Sequence, residues 1–368
     1  MKSILFVINS LGGGGAERLL QTLSTEIVHR GFQVEILTIE TPATAYSFGD
    51  GVRISTLKSR FLNRGFLKII GLPLFALELR LWLWRRKPDV WMSLLVRANF
   101  VAVLTKLFGF RGRVVISDHA DILACYPSRS IRDTLMIGLA RFLYPHADTI
   151  VAVSKGVAES LSRLLKSDAK IVTIHNAIDI TSLAQDAKVA RCLPATFVTV
   201  GRLALQKDHA TLLKAFTIVV KAEPSARLLI VGEGPEGPAL QEMIRQSGVS
   251  GSVELLGWLE CPFRHVGGST AFVLSSRFEG FGLVLVEAMA AGLPVISTRC
   301  PSGPEEILEG GGCGLLVEVG DHVALAGAML ALLRDDELAA TLRRKSLLRC
   351  QDFDACRMGG QYLSLLFS

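Results

Sequence analysis

A chain of 368 residues, half of them hydrophobic and 20% charged, carries apolar material for two ordinary domains, which excludes disorder and collagen-like structure. Its net charge of +6 is unevenly divided, with 23 basic and 14 acidic side chains in residues 1–180 against 17 and 20 in 181–368. The excess points to an anionic partner for the first half. With no basic face carrying a recognisable nucleic-acid module, it does not point to nucleic acid.

At the N-terminus, the apolar run 4–8 is too short for a signal peptide and reads as a buried strand. It leads through Asn9 to four glycines, Gly12, Gly13, Gly14 and Gly15, and then to a helix over 16–30 that stops at Gly31. Glycines between a strand and a helix let backbone approach an anion at the helix N-terminus, so this loop is a candidate phosphate cradle. It lacks the Lys-Ser/Thr of a Walker A loop, and the third position of a Gly-x-Gly-x-x-Gly pattern is Glu17.

Further strands are predicted at 34–39, 90–93, 114–117, 149–153 and 170–174. A second set follows at 197–200, 227–231, 253–256, 271–274, 295–297 and 315–317, with helices over 209–222, 239–246, 283–291 and 322–333. This alternation predicts an α/β chain of two doubly wound parallel sheets. Periodicity weakens over 176–194, so the domains are expected at 1–180 and 181–349, with a C-terminal helix near 350–368 packing back on the first. Ligands of such sheets bind beyond the carboxyl ends of the strands, so the loops after strands are where chemistry is expected.

Between the second and third predicted strands, residues 58–87 hold Lys58, Arg60, Arg64, Lys68, Arg80, Arg85, Arg86 and Lys87 against Glu78 alone, interleaved with Phe61, Phe66, Trp82 and Trp84. This is a basic, aromatic-rich amphipathic stretch suited to a membrane surface. No apolar run approaches the ~18 residues of a membrane span. Seven scattered cysteines without a Cys-x-x-Cys pair predict neither a disulfide framework nor a zinc site, and a reducing cytoplasm fits them best.

Three loops carry candidate chemistry. After strand 114–117 comes His119, flanked by Asp118, which is either its orienting partner or a loop cap. After strand 197–200 comes Gly201-Arg202-Leu203-Ala204-Leu205-Gln206-Lys207-Asp208, where Arg202 and Lys207 suit a diphosphate and Asp208 is placed to cap the next helix. After strand 271–274, Glu279 lies in a loop with Gly280 and Gly282, and Glu287 lies eight residues on, in the helix that the loop opens. A carboxylate among Leu, Val, Met and Ala needs partners, which a hydroxyl-rich ligand supplies.

The ordered set resembles the retaining glycosyltransferases of family 4. It comprises GGGGAERLL at 12–20, Asp118-His119, Val153-Ser154-Lys155, Asn176-Ala177-Ile178-Asp179, GRLALQKD at 201–208, VGEGPE at 231–236, and the Glu-x7-Glu region with its GLPVI continuation. Residues 300–307 are similar to a subset of bacterial members that build surface polysaccharides. The resemblance implies the GT-B architecture, two Rossmann-like domains facing across a cleft, with a nucleotide-sugar donor on the second and a saccharide acceptor on the first.

By the same resemblance Arg202 and Lys207 hold the donor diphosphate, Glu279 contacts sugar hydroxyls and Glu287 the ribose. Backbone at Phe281 and Gly282 meets the sugar or phosphate, Gly14 and Gly15 approach the diphosphate, and His119 stands near the reacting sugar. The expected reaction is transfer of a hexose or N-acetylhexosamine, UDP-linked on family grounds, to a lipid-linked saccharide, with retention, no metal and no cofactor. The expected location is the cytoplasmic face of the membrane, held peripherally through 58–87. Rival readings are a nucleotide-sugar epimerase on the same fold, a nicotinamide-dependent oxidoreductase using the Gly-rich loop with Glu40, and a non-catalytic nucleotide-sugar or nucleic-acid binder.

Overall fold

The short apolar runs become strands because both of their faces are covered. Leu5, Phe6, Val7 and Ile8 are fully buried, the condition under which parallel strands lose polar alternation. The computed structural model describes residues 1–40, 44–58, 70–127, 130–190 and 193–368. The chain divides into two compact units, Met1–Ala177 with Ala355–Ser368, and Ile178–Asp354.

The first unit is built on a parallel sheet of β1 (Ser3–Ile8), β2 (Gln33–Thr38), β3 (Val52–Thr56), β4 (Val90–Leu94), β5 (Val115–Asp118), β6 (Thr149–Ala152) and β7 (Ile171–Thr173). Their spatial order is β3-β2-β1-β4-β5-β6-β7, so the winding reverses between β1 and β4. Strand β3 was not predicted. It is an edge strand pairing only with β2, and none of its residues is buried, so it lacks the apolar run that marked the others.

The helix Gly15–His29 turns Leu19, Leu20, Leu23 and Ile27 onto the sheet. The C-terminal helix Ala355–Phe367 adds Met358, Tyr362 and Leu366 to the same core. Arg30 Nη2 donates to the Cys356 carbonyl at 2.6 Å, tying the two helices at the surface.

The second unit holds β8 (Leu193–Val200), β9 (Arg227–Val231), β10 (Val253–Gly257), β11 (Ser269–Leu274), β12 (Val295–Thr298) and β13 (Leu315–Val317), all parallel in the order β10-β9-β8-β11-β12-β13. Its winding reverses between β8 and β11. Helices His209–Ala222 and His322–Arg334 cover the sheet through Leu212, Phe216, Val219, Leu325 and Met329.

The aperiodic segment before this unit contains a further helix, Ile180–Val189. Asp179 caps it by accepting from the Ser182 amide at 2.9 Å. Its inward face is Ile180, Leu183 and Asp186, and Asp186 is paired with Arg264 at 2.8 Å. A charged residue on the buried face is what blurred the apolar period.

Every described cysteine is a free thiol. Among the described residues no helix is long and apolar enough to cross a membrane. Of the basic stretch, residues 59–69, with Arg60, Phe61, Arg64, Phe66 and Lys68, lie outside the described residues, and the helix Leu72–Arg86 holds most of the rest.

Candidate active site

Because β8 and β11 are neighbours at the switch point, the loops that follow them run side by side. The Arg277 amide donates to the Gln206 carbonyl at 2.8 Å, and the Gln206 side chain returns a bond to the Phe278 carbonyl at 2.9 Å. Ser275 Oγ donates to the Lys207 carbonyl at 2.8 Å. A third loop, Gly232 to Glu236, closes against the first. A Cβ at Gly232 would lie 2.0 Å from the Gly201 carbonyl oxygen, so the loops meet only because that residue is glycine.

This lacing brings Lys207 and Glu279 together across 72 positions of sequence, Nζ to Oε1 at 2.6 Å. Ser276 Oγ donates to the same Oε1 at 2.6 Å. Glu279 is only 6% exposed, so its charge is compensated by a cation and a hydroxyl, as a buried carboxylate requires. Arg202, on the same loop, is exposed, and its guanidinium has no partner among the described residues. Nearby, burial and the charge of Glu279 push the Cys300 thiol up to about 12, so it is a neutral, protonated neighbour. Burial and the charge of Lys207 hold His209 down at about 4, and it too is neutral at ordinary pH.

Gly282, at φ +94°, starts the helix Leu283–Ala290. Phe281 is 2% exposed and packs edge-on against Phe353 at 5.3 Å, so its ring belongs to the core and its backbone is what faces the loop. Glu287 is half-buried on this helix, between the buried Val286 and Ala288.

Asp208 departs from expectation. It occupies the N-cap position of the helix His209–Ala222 but caps no amide with its side chain, because its backbone sits in the left-handed region at φ +47°. Its carboxylate instead takes Thr211 Oγ1 at 3.0 Å and Arg277 Nε at 3.1 Å. That bond holds the Arg277 guanidinium above its ordinary range.

In the first unit, Gly14 and Gly15 are exposed at the start of the helix Gly15–His29, whose N-cap offers no side-chain bond to the first amides. The Glu17 carboxylate of the first turn lies against Gly14, its Oε2 2.6 Å from where a Cβ on that residue would stand, at the positive end of the helix dipole. His119 follows β5 with Nε2 3.0 Å from Ser117 Oγ, and desolvation lowers its pKa to about 3. Asp118 meets the loop-cap alternative, its carboxyl accepting from the His119 backbone amide. It is fully buried and accepts from the Tyr144 hydroxyl at 3.1 Å, while Asn99 Nδ2 reaches that hydroxyl at 3.3 Å and Ser93 Oγ donates to Asn99 at 2.7 Å. His119 is therefore oriented by Ser117, and Asp118 serves a buried polar network. Glu40, the acid that an oxidoreductase would need for ribose, is ion-paired with Arg97 at 2.5 Å.

Residues 13–182 match the family model described as Glycosyltransferase Family 4, and residues 194–335 the model described as Glycosyl transferases group 1. Over 369 residues the chain is 30% identical to a Campylobacter jejuni protein, N-acetylgalactosamine-N,N'-diacetylbacillosaminyl-diphospho-undecaprenol 4-alpha-N-acetylgalactosaminyltransferase, covering all of both chains. The chain belongs to glycosyltransferase family 4.

A second relative of this glycosyltransferase is the lipopolysaccharide core biosynthesis glycosyltransferase LpsE of Rhizobium meliloti, 29% identical over 90% of this chain and 89% of that one. Among solved structures, Anabaena HepE in complex with UDP and glucose superposes with a TM-score of 0.78 at 21% identity, covering 99% of each chain. The fold is therefore that of the GT-B enzymes, as the motifs implied.

Two features of this family 4 glycosyltransferase carried no role in the sequence: Ser276, which is indistinguishable from a loop serine until Glu279 is seen beside it, and the Asp118 network. Burial raises the Asp118 pKa to about 7. A carboxyl whose folded pKa lies above its unfolded value keeps its proton in the native state, so it weakens stability as pH rises from about 4 to about 7. Asp118→Asn keeps an acceptor for Tyr144 and removes this titration. Its melting temperature relative to wild type is expected to climb by a few degrees across that window, as read by calorimetry at pH 4.5, 6 and 8; a constant offset would contradict the assignment.

Proposed function

We propose that this glycosyltransferase moves a hexose or N-acetylhexosamine from a nucleotide diphosphate sugar, UDP-linked, to a hydroxyl of a lipid-linked saccharide, with retention at the anomeric carbon and without a metal ion. The Lys207–Glu279 contact beside the exposed Arg202 carries this reading. One short loop pair then offers two cations to a diphosphate and a buried carboxylate to sugar hydroxyls.

Charge builds on the departing diphosphate as the anomeric C–O bond breaks. Arg202 can bind its oxygens bidentately and Lys207 acts as a point charge, so both stabilise the transition state more than the bound donor. Glu279, held through Oε1 by Lys207 and Ser276, keeps Oε2 for the sugar. Glu287 takes the ribose, and the Phe281 and Gly282 backbone meets the sugar or phosphate.

The acceptor oxygen forms its bond on the face the diphosphate leaves, and its proton passes to a leaving phosphate oxygen, which gives retention without a carboxylate nucleophile. With its pKa near 3, His119 is neutral and acts as a hydrogen-bonding ligand of the sugar rather than as a cationic acid. In the first unit, Gly14 and Gly15, both exposed, are the proposed phosphate contacts.

Thermal unfolding with UDP-, GDP- and ADP-sugars tests the donor. A ligand that binds only the native state adds ~2.7 kcal/mol at a hundred times its Kd, so the matching nucleotide is expected to raise the melting temperature clearly above the others. No rise with any of the three would sink the donor assignment.

The reading includes peripheral attachment to the membrane through 58–87. Its support is the run Arg85, Arg86 and Lys87 closing a helix that exposes Trp84, together with the diphospho-undecaprenol in the name of the Campylobacter relative. Each basic residue near an anionic leaflet is worth ~1 kcal/mol.

A further inference from the structure

The helix Leu72–Arg86 is apolar on two faces. Leu72, Ala76, Leu79 and Leu83 are buried in the first unit, whereas Leu74, Leu77, Leu81 and Trp84 are 43, 44, 53 and 70% exposed. The spacing of three, four and three aligns the exposed set in one stripe. At its C-terminal end the stripe runs into a groove of about 610 Å³ lined by Leu81, Trp84, Trp91 and Phe110 among others, with Arg80, Lys87 and Arg111 also on its walls. That volume falls within the ~300–1,000 Å³ range of ligand pockets.

The place of the groove in the fold separates it from the candidate active site. Lys87 and Trp91 flank the start of β4, and Phe110 and Arg111 precede β5, so the groove lies at the amino ends of these strands. The Gly-rich loop and His119 follow carboxyl ends.

Among the described residues, three cations and no acid line the groove. The adjacent Asp89 is spent on the Ser3 amide and hydroxyl at 2.6 and 2.9 Å. The buried Trp91 indole N–H has no acceptor among the described residues. A second copy of this chain is disfavoured as occupant, because a two-fold contact centred on the groove would set Arg80, Lys87 and Arg111 against the same cations of the other copy.

We infer that the groove is a binding site for one anionic phospholipid of the bilayer. One chain lies among Leu81, Trp84, Trp91 and Phe110, and the phosphate is held by Arg80, Lys87 and Arg111. The site rests on the membrane reading above and deepens it from surface attraction to occupancy by a single lipid.

The test uses the full chain, tryptophan fluorescence and dihexanoylphosphatidylglycerol below its critical micelle concentration, alongside dihexanoylphosphatidylcholine, farnesyl phosphate and inorganic phosphate. Vesicles of phosphatidylglycerol and phosphatidylcholine are floated in parallel. Expected are saturable binding of the monomeric phosphatidylglycerol and weakening by about tenfold or more with the choline headgroup or in Arg111→Glu. The donor-induced thermal shift of Arg111→Glu stays at the wild-type value.

Flotation on anionic vesicles without monomer binding, or monomer binding indifferent to Arg111→Glu, would overturn the groove site and leave the membrane reading intact. No salt-sensitive flotation would overturn both. Tighter binding of farnesyl phosphate than of the phospholipid would reassign the groove to an isoprenoid chain, and inorganic phosphate binding equally well would reduce it to an anion patch.

Discussion

Replacing Lys207 by alanine is expected to lower kcat for sugar transfer by about 10²–10³, the loss seen when one preorganised electrostatic contact to a developing charge is removed. The ion pair with Glu279 at 2.6 Å makes the experiment more demanding than a simple truncation. Lys207→Ala strands a carboxylate that is 6% exposed, held then among the described residues only by Ser276, so a misplaced Glu279 would also lower activity.

The double variant Lys207→Ala with Glu279→Gln separates the two effects. Glu279→Gln alone, which loses the carboxylate proposed for the sugar, is the baseline: if the ammonium acts on the diphosphate, the double variant falls a further factor of about 10²–10³ below it in kcat. A double variant equal to Glu279→Gln alone would make Lys207 a structural counter-ion. Lys207→Arg keeps the charge but alters its shape, and its defect should fall between wild type and alanine.

The second large effect is structural. A Cβ at Gly303 would stand 1.9 Å from the Phe281 carbonyl oxygen and 2.4 Å from its carbon, and Gly303 itself lies at φ +86°. Backbone atoms cannot yield as a flexible side chain does, so Gly303→Ala must push apart the loop that starts the helix Leu283–Ala290.

Left-handed strain and overpacking together predict a loss of about 3–5 kcal/mol in chemical denaturation. Donor-induced stabilisation should disappear with it. Gly310→Ala is the control: its φ is also positive, at +67°, but no atom lies within 4 Å of the added methyl. That variant should lose only ~1 kcal/mol and keep donor binding. Equal losses in the two variants would show that dihedral strain, not the contact with Phe281, sets the cost.

The second unit was legible because its chemistry is marked where backbone geometry is also restrictive. Arg202 and Lys207 follow a strand that is apolar on both faces, and Glu279 sits just before the two glycines that open a helix. Adjacent β8 and β11 then bring the two loops together. The central strands β1, β4, β5, β6, β11 and β12 were legible for a related reason, since burial on two faces leaves continuous apolar runs.

What escaped depended on partners distant in sequence or on exposure. Strand β3 pairs on one side only and reads like a loop. The helix Ile180–Val189 hides its period behind Asp186, whose partner Arg264 lies 78 positions away. Asp118 looked like a companion of its neighbour His119, and only the fold reveals Tyr144, 26 residues on, as its donor. Asp208 has the right residue type and position for a cap, and a single left-handed φ turns its carboxylate to Arg277.

The central claim, that this chain transfers a sugar from a nucleotide diphosphate donor with retention, is tested most directly by the configuration of the product. Incubation with the UDP-α-sugar that raises the melting temperature most, and with a lipid-linked saccharide acceptor, should release UDP and give a new glycosidic linkage whose anomeric proton signal is that of the α-anomer. A β-linked product, or nucleotide release with no sugar transferred to the acceptor, would contradict it.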